Sequence, residues 1–89
     1  MYRMAHRERD PSVTKEQYVQ ALASAVRAEA AAKEVSRAEL ARMINVEKGV
    51  IYRYMRGERE FPLSILYEVA EALGTTVDDL AREAYRRMP

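Results

Sequence analysis

The chain has 89 residues, 48% hydrophobic and 33% charged, with a formal net charge of +1 and no cysteine. That length holds one small domain with a single core, and the composition is globular rather than disordered. Lack of cysteine excludes disulfides and thiolate metal sites, and no uncharged run outlasts Gln17 to Val26, far too short to span a bilayer.

The opening "MYRMAHRERD" is polar and lacks the apolar centre of a signal peptide, so an intracellular, cytoplasmic protein is expected. Residues 1–13 read as a flexible basic arm and 14–89 as the folded domain. The apolar periods predict five helices and no strand. In the first, Thr14 and Gln17 have capping-box spacing, and Pro11 stops any helix from running through. Tyr18, Leu22, Val26 and Ala30 form its apolar side, with Val19 and Ala23 beside them, and helical propensity lasts to about Lys33.

The second helix opens at "SRAEL", with Ser36 as cap and Glu39 at the reciprocal position of a capping box. Leu40, Ala41, Met43 and Ile44 give one apolar side, and Asn45, which tolerates a left-handed backbone, ends it. The third helix runs from about Lys48 to Met55, with Gly57 beyond it. Ile51 and Tyr54 should face inward, with Met55 a further candidate and Val46 tucked under the turn. "GEREFP" is a loop whose Pro62 suits the first turn of a fourth helix. Leu63, Leu66, Val69, Ala70 and Leu73 form its stripe, ended by Gly74. Thr76 caps a fifth helix, with Asp78 and Asp79 in its positive first turn and Val77, Leu80, Ala81 and Ala84 inward. Met43 is expected to fill a core gap, and Tyr18 and Tyr67 to pack with wet hydroxyls.

The small net charge hides an uneven distribution. From Ser36 to Arg59 six bases (Arg37, Arg42, Lys48, Arg53, Arg56, Arg59) face three acids (Glu39, Glu47, Glu58), a local charge of +3. From Pro62 to Glu83 five acids (Glu68, Glu71, Asp78, Asp79, Glu83) face only Arg82, a local charge of −4. Two short helices joined by a tight turn, the second of them basic, describe a helix-turn-helix. Close crossing needs a small residue in the first helix, and Ala41 is there. The turn needs positive φ, and Asn45 is there.

The run "SRAELARMINVEKGVIYRYMRGERE", followed by "PLSILYEVAEALGTTVDDL", resembles lambda-repressor-like regulators of the Cro/repressor type. The resemblance covers roughly Tyr18 to Leu80. Asn45 stands where that family usually has glycine, and Met55 where it often has an acid. It implies an all-α, compact five-helix DNA-binding domain whose second and third helices form the motif. It further implies sequence-specific binding of double-stranded DNA, with the third helix in the major groove of an operator. A bacterial or phage repressor in the cytoplasm, associated with the nucleoid when bound, is the simplest role so short a chain can fill.

On that resemblance Lys48, Gly49, Val50, Tyr52 and Arg53 are the candidate base contacts. Lys48 can donate to guanine, Gly49 allows close backbone approach, and Val50 can touch a thymine methyl. Arg37, Ser36, Arg56 and Arg59 are the candidate phosphate contacts. Arg3, Arg7 and Arg9 of the arm can trail into a minor groove. Ala81, Ala84, Tyr85 and Met88 can form a homodimer patch suited to a two-fold operator.

No catalytic constellation, cofactor loop, metal site or small-molecule pocket is expected. The carboxylate pairs read as solvated helix faces, and the one histidine, His6, reads as an exposed side chain. The rival reading is an antitoxin or adaptor on the same scaffold, whose acidic fourth and fifth helices bind a basic protein.

Overall fold

The computed structural model describes residues 11–89, side chains included from Lys15 onward. Among the described residues there are five helices: α1 (Pro11–Ala32), α2 (Arg37–Ile44), α3 (Lys48–Met55), α4 (Leu63–Leu73) and α5 (Val77–Arg87). The all-α class and the expected helix order are therefore found. Residues 11–13, assigned from the sequence to the arm, are helical, because proline's missing N–H costs nothing in a first turn. Pro62 sits at the N-cap of α4, one residue ahead of the helix. Arg3, His6, Arg7 and Arg9 lie outside the described residues.

Helices α1 to α4 end by one device. A residue in the left-handed region follows each of them: Glu34 (φ 57°), Asn45 (φ 58°), Gly57 (φ 76°) and Gly74 (φ 72°). The next amide then reaches back five residues, from Val35 to Ala30, Val46 to Ala41, Glu58 to Arg53 and Thr75 to Ala70. This is the Schellman closure, which satisfies carbonyls a helix end leaves open. It turns the chain sharply, so short linkers suffice between helices.

The core holds Leu22, Val26 and Ala30 of α1, Leu40 and Ala41 of α2, Ile51, Tyr54 and Met55 of α3, Leu66, Val69, Ala70 and Leu73 of α4, and Leu80 and Ala84 of α5. α1 packs along α5 and touches α3, while α2 contacts both α3 and α4. The helix-turn-helix thus has a packed back.

Three expectations fail. Met43 is 55% exposed, because an eight-residue helix has only one inward stripe and Leu40, Ala41 and Ile44 fill it. Leu63 is 72% exposed: it opens α4 at the rim of a cleft it shares with Tyr18, Val19 and Leu22 of α1. Phe61, read as a loop residue, takes its place, buried with its ring 5.2 Å from that of Tyr54. Tyr67 is exposed rather than packed, and its phenol is pushed up from its ordinary pKa by the Glu71 carboxylate it hydrogen-bonds.

Candidate nucleic-acid interface

The interface candidates sit on α2, the turn and α3. At the start of α2 the capping box is closed on both sides: the Glu39 amide donates to Ser36 Oγ and the Ser36 amide to Glu39 Oε1, each at 3.0 Å. Ser36 therefore has its amide engaged within the chain, while its hydroxyl accepts one bond and keeps its own hydrogen to donate. The first-turn amides of Arg37 and Ala38, which no helix pairs internally, are the ones available to an external acceptor.

α3 begins differently. Its N-cap, Glu47, makes no side-chain cap, and there is no acid in its first turn. Instead Lys48 is its first residue. Arg37 likewise opens α2. A cation at the positive end of a helix opposes the macrodipole, so neither residue is there for helix stability. Both add to an anion-attracting surface.

The faces of α3 are mixed. Ile51, Tyr54 and Met55 are buried, while Lys48, Gly49 and Arg53 are exposed. Val50 and Tyr52, expected to project outward, are half-buried and lean on the core. Tyr52 also lies beneath Arg37, whose guanidinium carbon is 4.9 Å from the ring centroid. That contact ties the start of α2 to the middle of α3. Gly49 has room around it: an added Cβ would meet nothing nearer than the Glu47 carboxylate at 4.0 Å.

Among the described residues Arg37, Lys48, Arg53 and Arg59 form no ion pair, whereas Arg56 is bound to Glu58 at 3.0 Å. The cations of α5 are all engaged. Arg82 pairs with Asp78 and Asp79, and Arg86 and Arg87 pair with Glu83. Those two arginines hold the Glu83 carboxyl below its ordinary pKa. Uncompensated positive charge therefore gathers on the helix-turn-helix rather than on α5.

The candidate dimer patch is altered. Ala84 is fully buried inside the domain's own core and cannot face a partner. Ala81 and Met88 are half-buried, and Tyr85 is 64% exposed with its ring 5.5 Å from that of Tyr18. Burial and the neighbouring Tyr85 push the Tyr18 phenol up. On the acidic side, Met43, Ile44 and Ala72 floor a groove beside Tyr67, Glu68 and Glu71. No helix is long and apolar enough to cross a membrane among the described residues.

Side chains of α1, with Lys33 just beyond its end, contribute a feature the sequence did not signal. Arg27 Nη1 donates to the Met55 carbonyl at 2.6 Å and Gln20 Nε2 to the Gly57 carbonyl at 2.9 Å. Lys33 donates in the same way to the Leu73 carbonyl at the end of α4. The partners are 28 to 40 residues apart, so no local pattern announces them.

Residues 26–80 match the helix-turn-helix family. A crystal structure of the clp gene regulator ClgR from Corynebacterium glutamicum is similar at 35% identity and a TM-score of 0.77, covering 81% of this chain and 92% of that one. A second crystal structure of ClgR from the same organism is similar at 35% identity and a TM-score of 0.75, covering 78% of this chain and 73% of that one. No curated protein matches the chain.

Proposed function

The chain belongs to the helix-turn-helix family, in its lambda-repressor-like branch, and from that membership we propose a repressor that reads double-stranded DNA with α3 in the major groove of an operator. The observation that carries this reading is the pair of cations, Arg37 and Lys48, opening α2 and α3 against the helix dipoles. Such an arrangement weakens a free helix and strengthens one whose end meets a phosphate or a base acceptor.

The roles follow from chemistry and exposure. Lys48 and Arg53 are exposed donors that suit guanine O6 and N7. Half-buried Val50 presents part of its methyl surface to a thymine methyl, and Tyr52 supports Arg37 as well as offering its own edge. Gly49 lets the backbone approach closely. Arg37, the amides behind Ser36, and Arg59 grip phosphates. Arg56 joins them by exchanging Glu58 for a phosphate, since an exposed pair of that kind is worth only about 0–1 kcal/mol. Arg3, Arg7 and Arg9 extend the grip into a minor groove. Two copies meeting through Tyr85 and Met88 would place two α3 helices on half-sites about one turn of DNA apart. Catalysis has no part in this reading.

A second reading has its own support in exposed Met43 and Tyr67 beside Glu68 and Glu71. An adaptor or antitoxin would use that groove for a basic protein partner.

The test is duplex binding across a salt series. Lys48→Ala should relax sequence preference, and Arg59→Ala should weaken all sequences alike and reduce the salt slope by about one. Duplex binding that is undetectable at low salt, or unmoved by both changes, defeats the repressor reading. Reversal of Glu68 and Glu71 that abolishes capture of a purified partner, with DNA binding absent, would favour the adaptor.

A further inference from the structure

We propose that Arg27 and Gln20 of α1 are positioning residues for the reading helix: by holding its C-terminal end they set the angle at which α3 presents Lys48 and Arg53. The inference rests on the DNA-reading role and names a determinant outside the helix-turn-helix.

α3 has eight residues, about 12 Å of helix. One end is fixed by the Asn45 turn. A short rod fixed at one end can still swing, and a small swing displaces side chains that must meet base edges. The other end therefore decides the angle. There the carbonyls of Tyr52, Arg53 and Tyr54 accept amides of Arg56, Glu58 and Gly57 from the following turn. The Met55 carbonyl is taken by Arg27 instead, at 2.6 Å in a part-buried setting. A cation at that negative end also complements the helix dipole.

The side chain at position 55 cannot supply an acid to Arg27. Met55 is 1% exposed within the core, and Arg27 has no ion pair among the described residues. Its one protein acceptor among the hydrogen bonds of the described residues is the end of α3. Gln20, two helical turns earlier on α1, takes the carbonyl of Gly57, two residues beyond Met55. It lies so close that a Cβ at position 57 would come within 2.5 Å of its amide nitrogen. Gly57 thus serves its left-handed φ, and a side chain there would displace the Gln20 amide. Two carbonyl groups at the α3 terminus, those of Met55 and Gly57, are held from one face of α1, which is itself anchored along α5.

The experiment uses the full chain, with an operator obtained by selection and a scrambled duplex of equal length. Arg27→Met keeps the apolar stem and removes the donors; Arg27→Lys restores a cationic donor. Binding is measured at a temperature where circular dichroism shows all proteins folded. Arg27→Met should bind the operator about tenfold more weakly, the scale of one lost base contact, while its affinity for the scrambled duplex stays within about twofold. Arg27→Lys should recover most of the operator affinity. A purely structural role would lower thermal stability in Arg27→Met and leave the ratio of operator to scrambled affinity unchanged, which overturns the inference. If the unaltered chain shows no preference for any duplex, the DNA-reading role itself fails and takes the inference with it.

Discussion

The guanidinium of Arg37 lies over the ring of Tyr52, 4.9 Å from its centroid, so the first residue of α2 and the middle of α3 form one surface. The contact gives Arg37 a fixed platform at a position where the helix dipole disfavours it. Arg37→Ala should weaken binding to every duplex and lower the salt slope by about 0.9. Tyr52→Leu should lower the same affinity partly by freeing Arg37. A double-mutant cycle on DNA affinity should therefore show a coupling of about 0.5–1 kcal/mol. Additive effects would mean the two residues act separately.

Gly49 should give opposite signs in two assays. It occupies an exposed helical position with nothing nearer than 4.0 Å to an added Cβ, so Gly49→Ala should raise unfolding free energy by about 1 kcal/mol. If DNA approaches the backbone there, the same change should lower operator affinity. Higher stability with unaltered affinity would remove Gly49 from the interface.

Glu34 carries a left-handed φ of 57° between α1 and α2. A side chain in that region costs about 1–2 kcal/mol, from which the flexibility of glycine in the unfolded chain must be subtracted. Glu34→Gly should accordingly stabilise the domain by roughly 1 kcal/mol in chemical denaturation.

Glu83 supplies the pH dependence. Arg86 and Arg87 hold its folded-state pKa down, so the folded state binds fewer protons than the unfolded chain. The stabilisation is present above the unfolded carboxylate pKa and is lost as pH falls through the depressed folded value. The difference in thermal midpoint between the unaltered protein and Glu83→Gln should be open at neutral pH and close on acidification. A difference that persists at acid pH would place its cause elsewhere.

Much of the fold was legible because local chemistry and packing agree. Ser36 and Glu39 make the expected capping box, Asn45 takes the left-handed turn, Ala41 is buried at the helix crossing, and Thr76 Oγ1 caps α5 by accepting the Asp79 amide. What failed was decided by packing that the apolar periods do not show. Phe61 sits outside any helical period, and its meeting with Tyr54 helps make it core. Leu63 fits the α4 stripe but stays exposed at the rim of a cleft against α1. Ala84, read both as inward on α5 and as part of a dimer patch, is buried in the core. The candidate interface was legible as a cluster of cations, whereas the Arg37–Tyr52 contact and the Arg27 clamp depend on tertiary placement that no spacing encodes.

The most direct test is selection of bound duplexes from a random library, run in parallel on the unaltered chain and on Lys48→Ala. The unaltered chain should yield a defined motif containing guanine. Lys48→Ala should yield the same motif with preference lost at one base pair, in each half-site if the motif is two-fold. A motif identical in both selections, or none from the unaltered chain, would contradict an operator read by α3.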